Sequence, residues 1–150
     1  MNVKRFIWAS IAVFVAFEVI DVIVHMIILR SAYESLSAIW RPDMMSLYWI
    51  FTVGALIMAF LFVYIFIKGY ENKGIMEGIR YGVIIGLFAN IPYGFYSYAM
   101  YPLPFSLCLQ WFIYGMIGFI ICGIIAAAVY KPKRKVAKFP KTKKRQITKK

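Results

Sequence analysis

Three ionisable side chains lie inside an otherwise apolar stretch near the start of the chain, "FEVIDVIVHMIIL", residues 17–29. They are Glu18, Asp21 and His25. At 3.6 residues per turn, Asp21 lies about 60° from Glu18 around a helix and His25 falls between them, so all three share one face. Carboxyl and imidazole groups inside a membrane can pass protons, and Asp21 with His25 could also share a metal ion. The spacing therefore predicts a polar stripe that is structural, proton-conducting or metal-binding.

Placing this stripe in a membrane is costly. An acidic residue at a helix centre costs about 2.5–3.5 kcal/mol, whereas each Leu, Ile, Phe or Val returns about 0.3–0.6 kcal/mol. We therefore expect the stripe to be buried against polar partners on other helices. Asn90 is level with Glu18, Gln110 is closer to the level of His25, and Pro92 should kink its helix and free one backbone carbonyl.

The elements that carry these residues are four long apolar segments. Hydrophobic residues make up 63% of the chain, against about 45–50% in soluble domains. The segments 6–29, 47–67, 81–101 and 107–130 each reach the length of about 20 residues that crosses a bilayer, and spanning backbone must be helical to satisfy its own hydrogen bonds. The sequence predicts an all-α membrane protein, a four-helix transmembrane bundle over residues 1–130, followed by a disordered basic tail over residues 131–150.

The net charge of +12 is concentrated at one end, because eleven of the eighteen Lys and Arg residues lie in the last twenty positions. Lys4 and Arg5, the 68–80 connection and the tail share one side of a four-span chain, and the positive-inside rule places that side in the cytoplasm. Both termini are therefore expected inside. Since no N-x-[ST] acceptor occurs, a bacterial inner membrane is the expected location.

The tail is expected to touch anionic lipid. Juxtamembrane basic residues gain about 1 kcal/mol each beside an anionic leaflet, and an acidic partner protein is the alternative, with nucleic acid the least favoured. The contact residues are Lys131, Lys133, Arg134, Lys135, Lys143, Lys144 and Arg145.

Glycines recur every four residues into the third segment. Such a repeat leaves one bare helix face along which another backbone can approach, either inside the bundle or in a homo-oligomer. The predicted packing residues are Gly74, Gly78, Gly82 and Gly86.

The connection "KGYENKGIMEGIRYG", the proline in the third segment and "YPLP…QWF" resemble small four-span bacterial membrane proteins of uncharacterised function. The resemblance covers most of the chain from residue 40 to residue 132. It implies the same four-span topology and brings no activity with it.

The sequence contains no G-x-S-x-G, H-E-x-x-H, C-x-x-C or P-loop motif, so it favours a non-enzymatic role and no cofactor. A small accessory or scaffold subunit, stabilised by the buried stripe, is the first interpretation. The second is a proton-coupled transporter or channel that uses Glu18, Asp21 and His25. A metal or haem redox subunit is the third, and a lipid or quinone pocket lined by the tyrosines of the third segment is also open.

Overall fold

The computed structural model describes residues 2–131, so the tail beyond Lys131 lies outside the described residues. Within this range the chain forms helices and turns without strands. Four helical spans are long and apolar enough to cross a membrane: Val3–Ile28, Met44–Lys68, Ile75–Met100 and Phe105–Val129. The prediction of an all-α bundle with four membrane-spanning helices is confirmed, and the chain is a multi-pass integral membrane protein.

The regular helices are α1 (Val3–Asp21), α2 (Arg30–Ser35), α3 (Tyr48–Lys68), α4 (Ile75–Ile91), α5 (Ser97–Met100) and α6 (Phe105–Val129). Two spans change their winding before they end. Seven residues of wider π-helix, Val22–Ile28, continue α1, and a second π-helical stretch, Pro92–Tyr96, separates α4 from α5. Pro92 has no N–H to donate to the preceding turn, which accounts for the altered winding at that point.

Both ends of the described chain lie at one end of the bundle, where the backbone N–H of Asn2 approaches the Tyr130 hydroxyl at 3.5 Å. We call this the terminal end, and the opposite end, with the 29–47 and 101–104 connections, the hairpin end. The terminal half has a dense apolar core. At the edge of this core nearest the hairpin end, the ring of Phe17 packs edge-on against Phe62 and Phe119, with centroids 6.0 and 5.4 Å away.

The helices α4 and α6 pack most closely, because glycines allow their backbones to touch. A Cβ on Gly78 would lie 2.2 Å from the Gly123 carbonyl oxygen, and one on Gly82 would lie 2.4 Å from that of Phe119. Gly86 faces Met116 and Phe119 in the same seam. Gly74 does not belong to it, since a Cβ there would meet nothing within 4 Å.

The third span begins at Ile75 rather than at residue 81, because a buried carboxylate organises the turn before it. Glu77 is only 4% exposed, and it accepts hydrogen bonds from the backbone N–H groups of Glu71 at 2.6 Å and Lys73 at 2.8 Å. Asn72 and Gly74 have φ values of 61° and 74°. Gly74 therefore serves this turn, where glycine adopts a positive φ without strain.

Candidate functional site

A chain of four polar side chains joins the first span to the fourth span at the hairpin end. The Nε2 atom of His25 lies 3.5 Å from Asp21 Oδ1, and its Nδ1 atom is hydrogen-bonded to the Tyr33 hydroxyl. The indole N–H of Trp111 donates to that same hydroxyl at 2.7 Å. We call Asp21, His25, Tyr33 and Trp111 the relay.

The donors in the relay limit its proton positions. An indole N–H can only donate, so the Tyr33 oxygen accepts from Trp111. The Tyr33 hydroxyl can then donate to a bare Nδ1 of His25 or accept a second hydrogen bond from a protonated Nδ1, because a hydroxyl has two acceptor positions. The Tyr33–His25 contact is therefore compatible with both a neutral and a protonated imidazole.

Tyr33 is positioned by the 29–47 connection, which folds back over the first span. Trp40 donates its indole N–H to the Tyr33 carbonyl oxygen at 3.2 Å, and the Trp40 ring packs edge-on against the Tyr33 ring with centroids 5.5 Å apart. Burial raises the pKa of Tyr33 above its ordinary value. The phenol therefore remains protonated at neutral pH and available as a donor.

Three members of the relay, Asp21, His25 and Trp111, line a cavity of about 340 Å³ between the spans. A volume of this size is within the range of small-molecule sites. Its polar wall includes Asp21, His25 and Asn90, and its aromatic wall includes Tyr93 and Trp111. The cavity therefore combines a few polar groups with a mostly apolar surface, which is typical of sites for small organic ligands.

The mouth of the cavity lies between three spans. Three of its lining side chains are well exposed: Asp21 at 50%, with Met58 at 40% and Tyr93 at 55%. They belong to the first, second and third spans respectively. Asp21 lies seven residues before the end of its span at Ile28, about 10 Å along the axis, so the mouth is within the depth of the membrane on the hairpin side.

Toward the terminal end the cavity is closed. Phe17 and Phe119 line its floor, and below them lie the fully buried side chains of Val13 and Val63. The Tyr81 hydroxyl donates to the Phe62 carbonyl oxygen at 2.5 Å and joins the second and third spans there. Among the described residues the cavity is therefore closed toward the terminal end and opens between the spans at membrane depth.

The structure separates the polar residues that the sequence placed in one cluster. Asp21, His25 and Asn90 line the cavity together. Glu18 does not line it and instead accepts a hydrogen bond from Thr52 at 3.5 Å. Gln110 is exposed, because it precedes the buried Trp111 by one residue and therefore points about 100° away around α6.

Asn90 is held by its own helix. It is 7% exposed and donates its side-chain amide to the Gly86 carbonyl oxygen at 2.8 Å. Its carbonyl oxygen lies against Gly115, where an added Cβ would be 2.1 Å away. Gly115 thus provides the space in which the Asn90 side chain reaches the cavity.

Tyr33 and Trp111 complete the relay, and the sequence analysis named neither of them as a site residue. Trp111 is 7% exposed and lies inside the bundle. The 29–47 connection, which carries Tyr33, mixes apolar and polar residues. Nothing in that pattern shows which of its side chains turns inward.

A second polar cluster lies at the terminal end, around Glu77. Glu71 forms ion pairs with Lys73 at 2.6 Å and Arg80 at 2.9 Å, and hydrogen bonds and charge from Lys73 and Arg80 hold the pKa of Glu71 below its ordinary value. All of these contacts stabilise the turn before α4. Because its carboxylates and basic groups bind one another and the backbone of the turn, its geometry is that of a structural clamp.

Comparison of the chain with protein-family models, with curated proteins and with solved structures found no match.

Proposed function

We propose that the protein is a proton-coupled carrier of a small solute, in which the solute and a proton compete at the Asp21–His25 pair. The observation that carries the proposal is the placement of this pair, with its imidazole hydrogen-bonded to Tyr33, in the wall of an intramembrane cavity that is closed toward the terminal end. Carriers need such a site near the middle of the membrane and accessible from one side at a time.

The relay explains how His25 can change its charge without disturbing the fold. When Nδ1 of His25 takes up a proton, it becomes a donor to the Tyr33 oxygen. A hydroxyl has two acceptor positions, so Tyr33 can accept from both His25 and Trp111 while its own hydrogen turns away. The charge of the Asp21–His25 pair rises from −1 to 0, and the cavity loses its net negative charge. A bound solute that depends on this charge is then released.

The scaffold interpretation accounts for less of the geometry. Interhelical hydrogen bonds that fix helix packing need no cavity beside them and are usually shielded from solvent. Here the Asp21 side chain is half exposed at the cavity mouth. The closely packed glycine seam between α4 and α6 already fixes the packing of the spans that face it.

The channel and metal interpretations have weaker support. A channel needs a continuous polar path, and the terminal half of the described residues is filled with apolar side chains. Within residues 2–131, no three His, Cys, Asp or Glu side chains lie close enough to hold a metal ion together. Asp21 and His25 supply two donors only.

The experiment that tests the proposal is a solute screen in proteoliposomes loaded with a pH-sensitive dye. Solutes of several classes are added outside: organic cations, carboxylates, amino acids, sugars and neutral aromatic compounds. We expect at least one class to move protons across the membrane in liposomes with the protein and not in empty liposomes. Failure of every class with a folded, monodisperse protein would refute the carrier proposal.

Single substitutions test whether the proton movement depends on the relay. Asp21→Asn and His25→Ala should each abolish it, whereas Glu34→Gln should leave it unchanged. Glu34 is the matched control, because it is also acidic and at the hairpin end, and its partner is the exposed Arg30. Equal activity of the Asp21→Asn variant and the wild type would remove the pair from the mechanism.

We also propose the cellular setting that the charge pattern indicates, a bacterial inner membrane with the terminal end in the cytoplasm. Lys131 is exposed at that end, and the other basic residues predicted to contact lipid or a partner lie outside the described residues. Contact of these residues with anionic lipids would stabilise this orientation.

A further inference from the structure

We propose that the solute is a lipophilic organic cation, such as a quaternary or protonated amine that carries an aromatic or alkyl group. This inference depends on the proposed role of the cavity as the solute site. It follows from the charges that face the cavity, from the aromatic rings in its wall and from the position of its mouth.

The ionisable groups around the cavity give it a negative character. The first span contributes Asp21 and His25, and the pair has a net charge of −1 when His25 is neutral. The third and fourth spans contribute the phenols Tyr93 and Tyr114, and the second span contributes Met58. Among the described residues, no Lys or Arg lines this cavity. An anion would therefore meet repulsion there without a compensating cation.

Aromatic rings in the cavity wall provide a second attractive contact for a cation. The rings of Tyr93 and Trp111 lie 5.4 Å apart at an angle of 32° and form one side of the cavity. A cation within about 6 Å of an aromatic centroid is attracted to the ring face, more strongly where water is excluded, and Trp gives the strongest interaction. The Asp21 carboxylate lines the same cavity, so one ligand can contact both the charge and the rings.

The position of the mouth selects a lipophilic ligand. Asp21 and Tyr93 are exposed at the depth of the hairpin-side leaflet, where a strongly hydrated metal cation does not partition. An organic cation with an apolar body can reach this depth and place its charge beside the carboxylate. The carbonyl oxygen of Asn90 offers an acceptor when the ligand carries an N–H group.

The test is competition binding with a pair of probes that differ only in charge. Labelled benzyltrimethylammonium is dialysed to equilibrium against the full-length protein in nanodiscs, with empty nanodiscs as the blank. It is then competed with unlabelled benzyltrimethylammonium or with its neutral isostere neopentylbenzene, in which carbon replaces nitrogen. We expect saturable binding that the cation displaces and the isostere does not. Displacement by both probes alike, or no saturable binding, would overturn the inference.

Two variants locate the site. Asp21→Asn keeps the shape of the side chain and removes its charge, and it should weaken binding of the cation by about tenfold or more. Glu34→Gln removes a charge at the same end of the protein, away from the cavity, and should leave the affinity unchanged. An equal loss of affinity in both variants would show a general surface charge effect and contradict a site at Asp21.

The two proposals fail in different ways. If the screen finds proton movement with a carboxylate or a neutral solute and benzyltrimethylammonium does not bind, the carrier stands and the cation inference is wrong. If the cation binds at Asp21 but no solute moves protons, the site exists and the coupling to protons is wrong.

Discussion

The Tyr33 hydroxyl accepts a hydrogen bond from the indole N–H of Trp111 at 2.7 Å, across 78 residues of sequence. This contact connects the 29–47 connection to the fourth span and places a phenol against His25. It makes Tyr33 both a contact that holds the hairpin end together and the hydrogen-bond partner of the His25 ring. The two roles can be separated by experiment.

Replacing Tyr33 with Phe removes the hydroxyl and keeps the ring. The Trp111 indole N–H and the His25 Nδ1 atom then lose their partner, and a buried polar group without a partner costs about 1–3 kcal/mol. We expect lower resistance to unfolding in mixed detergent micelles and loss of solute-driven proton movement. Tyr98→Phe is the control, since the Tyr98 side chain is exposed at the hairpin end and its hydroxyl makes no hydrogen bond among residues 2–131. A Tyr33→Phe protein with unchanged proton movement would show that the phenol does not take part in proton exchange.

The glycine seam gives a second prediction, on stability alone. In Gly82→Ala the new methyl group would lie 2.4 Å from the Phe119 carbonyl oxygen and 2.8 Å from the Ile120 Cα. Both atoms are backbone, so α4 and α6 must move apart, and overpacking of this kind costs about 1–3 kcal/mol. Unfolding by SDS in mixed micelles, followed by circular dichroism, measures the change.

Gly54→Ala is the matched substitution in the second span. A Cβ at Gly54 meets nothing within 4 Å, so the stability should stay the same or rise by up to about 1 kcal/mol from the better helix propensity. If Gly82→Ala proved as harmless as Gly54→Ala, the close approach of α4 and α6 would be wrong.

The Glu77 clamp gives a third prediction. Glu77→Ala leaves the backbone N–H groups of Glu71 and Lys73 without their carboxylate acceptor, and the loss is about 1–3 kcal/mol. Hydrogen exchange of the 70–77 segment should become faster, while the amides of α6 keep their protection. Glu34→Ala removes an exposed carboxylate whose ion pair with Arg30 contributes little, and it should change neither quantity. Unaltered exchange in Glu77→Ala would mean that other contacts order the turn.

The sequence predicted those features that depend on composition and helical period. Four apolar segments of sufficient length produced the four spans, and the 3.6-residue period placed Asp21 and His25 on one face of the first span. Asn90 was also expected near the polar stripe, and it lines the same cavity. These predictions use local rules, since the length and period of a segment are set by its own residues.

The features that the sequence did not predict depend on tertiary contacts. Glu77 is buried although carboxylates are usually exposed. Its burial is explained by the hydrogen bonds that it accepts from two backbone N–H groups. The relay needs Tyr33 and Trp111 to meet, and no local pattern relates residues 78 positions apart. Gln110 illustrates the same difficulty. Its depth was expected to be close to that of His25, but the side of α6 on which it lies depends on which face of α6 packs against the other spans.

The orientation of the chain gives the last prediction. Ser37 is exposed at the hairpin end and Lys131 at the terminal end, whereas Cys108 and Cys122 are fully buried. A membrane-impermeant maleimide should therefore label a Ser37→Cys variant in intact cells and a Lys131→Cys variant only after lysis, with the wild type as the unlabelled blank. The expected pattern follows from the positive-inside rule, because Lys4, Arg5 and Lys131 lie at the terminal end and further basic residues follow Lys131 in the sequence. Labelling of Lys131→Cys in intact cells, with Ser37→Cys protected, would reverse the orientation and place the mouth of the cavity on the cytoplasmic side.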